Sequence, residues 1–84
     1  MEQRYCSGEE IHIGDHVEYG GLPATVAFVI DREEWPADEN AESRAWWRAE
    51  HHSGFMLILS TGARLFFPDA DEDLDFVSRA ANDI

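Results

Sequence analysis

Ile11-His12-Ile13-Gly14-Asp15-His16-Val17-Glu18-Tyr19, then Gly20-Gly21, then Leu22-Pro23-Ala24-Thr25-Val26-Ala27-Phe28-Val29-Ile30 is the stretch on which the fold turns. Its first half alternates. Ile11, Ile13, Val17 and Tyr19 fall on one side and His12, His16 and Glu18 on the other, with a break at Gly14-Asp15. A period of two is the signature of a half-buried strand, and glycine permits the kink that the break requires. The second half is apolar on both sides, with Val26, Phe28 and Ile30 on one and Ala24, Ala27 and Val29 around the other. Such a run belongs in the middle of a sheet. The two halves joined through Gly20-Gly21 predict a bent antiparallel hairpin.

Working outward, Ser7-Gly8-Glu9-Glu10 reads as a turn that feeds the first strand, with Tyr5 and Cys6 starting a short edge strand or covering one end of the core. Beyond Ile30 the composition changes. Residues 32–53 form an insertion rich in acid and tryptophan, in which Pro36 stops any strand. Asp38 is the expected helix N-cap, and Glu39 to Glu50 contains good helix formers without an internal Pro or Gly. Ala41, Ala45 and Ala49 recur at four-residue spacing and are expected to face the sheet. Trp46 lies nearer that stripe, and Trp47 is expected to project away from it. Gly54 restarts the sheet with Phe55-Met56-Leu57-Ile58-Leu59. Ser60-Thr61-Gly62 then turns into Ala63-Arg64-Leu65-Phe66-Phe67, a good hairpin signal closed by Pro68. After an acidic turn, Leu74-Asp75-Phe76-Val77 supplies a last strand.

The expected architecture is therefore mainly β and a single domain over 1–84. Five short strands lie near 10–19, 24–31, 54–59, 63–67 and 74–78, with one helical insertion. A sheet this small must curl to hide one face, which points to a partly open barrel of the SH3-like type.

Charge is the compositional outlier. Eighteen acidic residues face six arginines and no lysine, for a net charge of −12, whereas the hydrophobic fraction of 44% is ordinary. Self-repulsion at this level opposes compaction, and the field repels nucleic acid and anionic lipid. A cationic protein is the natural complement. Cys6 stands alone, so an internal disulfide and a multi-thiolate metal site are both excluded. Met1-Glu2-Gln3-Arg4 leads into no apolar run of the signal-peptide kind, and no apolar stretch is long enough for a membrane span. A cytoplasmic protein is expected.

Reactive constellations are weak. Asp69, Asp71 and Asp73 have the alternate spacing of the first EF-hand ligands, but Leu74 occupies the position that requires glycine and no Glu stands at the twelfth. His12 and His16 are four apart on a kinked strand rather than a helix. His51 and His52 point apart if extended, so solvent-facing histidines are expected rather than a metal site. The serines lack a nucleophile-elbow context, no phosphate-binding glycine loop occurs, and ubiquitous carboxylates single out no acid–base pair. Neither an enzyme nor a cofactor is expected.

Ile13-Gly14-Asp15-His16-Val17-Glu18-Tyr19, with Gly20-Gly21 and Ala24-Thr25-Val26, resembles the opening hairpin of SH3-like and KOW-like barrels. KOW modules often bind RNA through basic residues near that turn. Here Asp15 and Glu18 stand there without a lysine, which argues against RNA. The wider layout resembles the small acidic immunity proteins of bacterial polymorphic and type VI-secreted toxin systems. Shared features are the Gly-Asp hairpin, the Trp-containing acidic insertion ahead of Gly54-Phe55-Met56, and the closing Asp71-Glu72-Asp73-Leu74-Asp75-Phe76-Val77. That resemblance implies a monomer or homodimer that binds a cognate toxin and covers its basic active-site cleft. Trp35 and Trp47 would anchor it, while Glu33, Glu34, Asp38 and Glu39 with Asp71, Glu72 and Asp73 would complement its charge. The rival expectation is a non-catalytic accessory module that docks in a larger assembly or self-associates through a strand edge.

Overall fold

The computed structural model describes residues 4–70 and 72–79. In chain order the elements are β1 (His16–Tyr19), β2 (Leu22–Val29), α1 (Ala41–His51), β3 (Phe55–Leu59), β4 (Arg64–Phe67) and β5 (Leu74–Ser78). All strand pairings are antiparallel, and the sheet order is β4-β3-β2-β1-β5. The first four strands form a meander, and the last returns beside the first. The apolar β2 occupies the centre, as a strand buried on both sides should. β4 and β5 are the two edges and exchange no ladder, so the sheet is not closed into a barrel. It does curl. Phe67 from one edge and Leu74 from the other join one cluster with Val17, Val26, Phe55 and Leu57, and the Tyr19 and Phe67 rings meet edge-on at 5.0 Å.

A register shift between Val26 and Phe28 lets one strand serve both faces. Val26 points into the main core opposite Leu57, while Phe28, two residues on, stands opposite Met56 on the outer face. Without that bulge the period of two would bury both side chains together. Phe28, Ile30 and Met56 form a second, smaller cluster, which the insertion covers with Trp35 and Trp47.

The first strand is shorter than the alternation predicts, beginning at His16 rather than near residue 10. Gly14 has φ +85°, and the main chain meets β2 through two irregular bonds, from Gly14 N–H to the Val26 carbonyl and from Val26 N–H to the Asp15 carbonyl. Asp15 is fully buried. Its carboxylate accepts from the Tyr5 hydroxyl at 2.6 Å, from His12 N–H at 3.0 Å and from Arg79 Nη1 at 3.1 Å. One side chain thereby ties the N-terminal turn, the approach to β1 and the chain after β5 together. Tyr5 is itself buried and covers the end of the core, one of the two positions expected of it.

The insertion also differs from expectation. The N-cap of α1 is Asn40, whose side-chain oxygen accepts from Ser43 N–H at 2.7 Å, and not Asp38. Ala41, Ala45 and Ala49 all face solvent. The partly buried helix residues are Ser43, Arg44, Trp47 and His51, and only the indole among them is large and apolar and joins the outer cluster. Bulk decided the face. Trp47 packs at 5.1 Å from Phe28 and 5.3 Å from Phe66, contact area that no alanine supplies. The chain regains the sheet at Gly54 (φ +121°), where an added Cβ would lie 2.6 Å from both the Phe66 ring and the Phe67 carbonyl oxygen. Asp31 fixes that return by accepting from Gly54 N–H at 2.6 Å.

Candidate functional site

The outer face of the sheet is divided. Over β3, β4 and the end of β2 it carries the insertion. Over β1 and β5 the described residues leave it bare, with His16, Glu18, Asp75 and Val77 exposed.

On the covered half, aromatic rings form a continuous stack. Trp35 lies on Phe28 at 4.9 Å, Phe28 meets Trp47, and Trp47 stacks on His51 at 5.1 Å. Trp46 closes the series, perpendicular to Trp47 at 4.9 Å. Trp46 is 53% exposed, while Trp35 and Trp47 are half-buried. Trp35 and Trp47, the two expected anchors, thus lie half-buried against the sheet; Trp47 was expected to project away from it and Trp46 to lie nearer, and the structure reverses the two. An indole at N-cap-plus-six beside a second indole carries no signal of which one turns in.

The insertion's carboxylates fall into two kinds. Glu34 is committed internally: its Oε1 accepts from Ile13 N–H and its Oε2 sits against His12 Nδ1, each at 2.8 Å. Glu33 (φ +54°) pairs with Arg48 at 2.9 Å, and the Arg48 guanidinium lies 6.0 Å from the Trp35 ring centroid. Glu39, just before the N-cap, accepts from the hydroxyl of Ser43 in the first turn of α1. Asp38 is exposed and lies on the rim of a groove.

That groove, about 320 Å³, runs beside the aromatic stack. Ala27, Phe28, Met56 and Ile58 line its apolar part, Pro36 adds to it, Asp38 and Glu39 supply acid, and Arg64 of the β4 edge supplies the base. Met56 and Ile58 reach it because alternate residues of an all-apolar strand must point to the outer face. The sequence signal for a covered second face was therefore present in Phe55–Leu59.

The closing acidic segment lies elsewhere. The Asp73 carbonyl accepts from Gly20 N–H at 3.1 Å, which places the segment beside the β1–β2 turn. The insertion leaves from the other end of β2, a strand of 8 residues and so roughly 25 Å long. Glu72 and Asp73 are exposed but do not share a patch with Asp38 and Glu39. Asp71 lies outside the described residues. On the bare half, Glu18 and Asp75 stand directly opposite each other across β1 and β5, two like charges in one cross-strand position.

Tyr5 shows the clearest perturbed ionisation. Burial, then its hydrogen bond to Asp15, pushes the phenol far above its ordinary range. It is a structural group: Asp15, which it meets, holds His12 N–H, and Glu34 of the insertion holds the neighbouring Ile13 N–H. Among the described residues, no three His, Cys, Asp or Glu side chains gather as a metal site, and no helix is long and apolar enough to cross a membrane. The chain matches no protein-family model, no curated protein and no solved structure.

Proposed function

We propose that this protein is a stoichiometric inhibitor of the immunity type, which binds a basic toxin domain and covers its active-site cleft from the cytoplasmic side of the producing cell. The observation that carries the reading is Trp46, an indole 53% exposed on the inserted helix of a chain with net charge −12. Exposed tryptophan is a common anchor of protein interfaces, and the surrounding field accelerates the approach of a cationic partner. Trp46 takes the anchoring role, with Trp47 packed edge-on against it and Trp35 fixing the start of the insertion on Phe28. Asp38 and Glu39 supply charge at the groove beside the insertion, and Glu33 and Glu34 shape the insertion.

Co-expression with the product of the adjacent gene tests it. A one-to-one complex that survives purification, and that Trp46→Ala weakens at least tenfold, is the expected result. An adjacent gene without a toxin, or a product that does not co-purify, removes the reading. Val77, 55% exposed on edge strand β5, favours a second reading, self-association of an accessory module through that edge. Light scattering on the isolated protein separates the two, since edge pairing gives oligomers that grow with concentration.

A further inference from the structure

We infer that the groove between the insertion and the β4 edge seats a single lysine or arginine side chain of the protein partner. The inference deepens the inhibitor reading and takes the partner's identity from it, but the groove's chemistry stands on its own geometry.

Four apolar side chains, Ala27, Phe28, Met56 and Ile58, make a surface suited to the methylenes of a long basic residue. At the insertion end, Asp38 and Glu39 lie where the cationic head would emerge, and charge-assisted hydrogen bonds there are the strong kind. Asp38 differs from its neighbours in the insertion. Glu33 and Glu34 are spent on Arg48, Ile13 and His12, whereas the exposed Asp38 has no ion-pair partner among the described residues. A wholly apolar occupant would strip water from that carboxylate without replacing it, and an anion would face it directly.

Arg64 limits the occupant to one basic residue. Among the described residues it is the only base lining the groove, and none of them is its acidic partner, although acids outnumber bases 18 to 6 in the chain. Its guanidinium repels a second cation arriving over β4. A run of basic residues is therefore disfavoured, and the head of the single bound side chain is directed toward Asp38.

The test uses the full chain and three capped peptides, acetyl-Ala-Lys-Ala-amide, acetyl-Ala-Arg-Ala-amide and the uncharged norleucine equivalent. Methyl NMR reads binding at Ala27, Met56 and Ile58. The lysine or arginine peptide is expected to give saturating shifts at those methyls. Affinity should fall at least fivefold in Asp38→Asn and further in Asp38→Asn with Glu39→Gln, rise in Arg64→Gln, and stay unchanged in Glu72→Gln with Asp73→Asn. Equal saturation by the norleucine peptide overturns the inference, as does an equal loss in both acidic double variants, which would mean that only the general field is felt. Unperturbed shifts away from the groove verify that each variant is folded. If the peptides fail while the adjacent gene product co-purifies, the groove proposal falls and the inhibitor reading stands. The converse outcome keeps the groove and removes the toxin.

Discussion

Asp15 shows how much one residue can hold. Three donors from three parts of the chain converge on a carboxylate with no exposure. Asp15→Ala strands the Tyr5 hydroxyl and the His12 N–H, while Arg79, 40% exposed, turns to water. A loss of about 3 kcal/mol is expected, because removing one member of a buried charged network leaves the others unpaired. Urea unfolding measures it, and a loss below about 1 kcal/mol would show that water replaces the carboxylate. Tyr5 gives a pH signature. Its phenol ionises less readily folded than unfolded, so the neutral hydroxyl contributes its full stability below the unfolded value of 10.0, and this contribution is lost as pH rises above it. Stability should therefore decline on the alkaline side. Tyr5→Phe should be about 1 kcal/mol weaker at neutral pH, having withdrawn a donor from Asp15, yet flatter above pH 10 or so. Parallel alkaline slopes in the two proteins would contradict this.

At the scale of elements, α1 depends on its docking. It has 11 residues and none of them is buried, and an isolated helix of that length is marginal in water. Trp47 supplies the main contact with the sheet, through Phe28 and Phe66, so Trp47→Ala should cost about 2 kcal/mol and lower helical circular dichroism before the sheet melts. Trp46→Ala should change stability by less than about 0.5 kcal/mol, since it removes an outward ring. Reversed magnitudes would mean that the helix docks by its other side. The strands were legible because period-two alternation and apolar runs report burial directly, and β5 has the bounds expected. The helix face was not legible. Evenly spaced alanines mimic an apolar stripe, while the true face mixes Ser43, Arg44 and His51 around one indole. The start of β1 was unreadable for another reason: a side chain, Asp15, takes the His12 N–H that a ladder would have used. For the candidate site, the acid-rich insertion was visible. Its separation from the closing acidic segment was not, because only the strand order places the two at opposite ends of β2.

Over the whole molecule, charge sets a condition under which the fold should strengthen. The described body measures 33 × 26 × 26 Å, close to the screening length of about 30 Å at 0.01 M salt and well above the roughly 10 Å at 0.1 M. At the lower concentration each carboxylate feels most of the others, and at the higher one only its neighbours. Raising sodium chloride across this range is therefore expected to stabilise the fold, measured by thermal melting or in urea, since guanidinium chloride is itself a salt. Glu18 and Asp75 make a local contribution that screening reduces less, because they face each other across a single strand pair. Glu18→Gln should recover about 0.5 kcal/mol and leave a shallower salt dependence. A wild-type stability that is flat in salt, or a Glu18→Gln variant no more stable at 0.01 M, would show that the surplus carboxylates do not press on one another. Stability given up to self-repulsion is what a cationic partner would restore on binding. The same salt that strengthens the free protein should then weaken its complex, a pair of opposite slopes that burial of apolar surface alone does not produce.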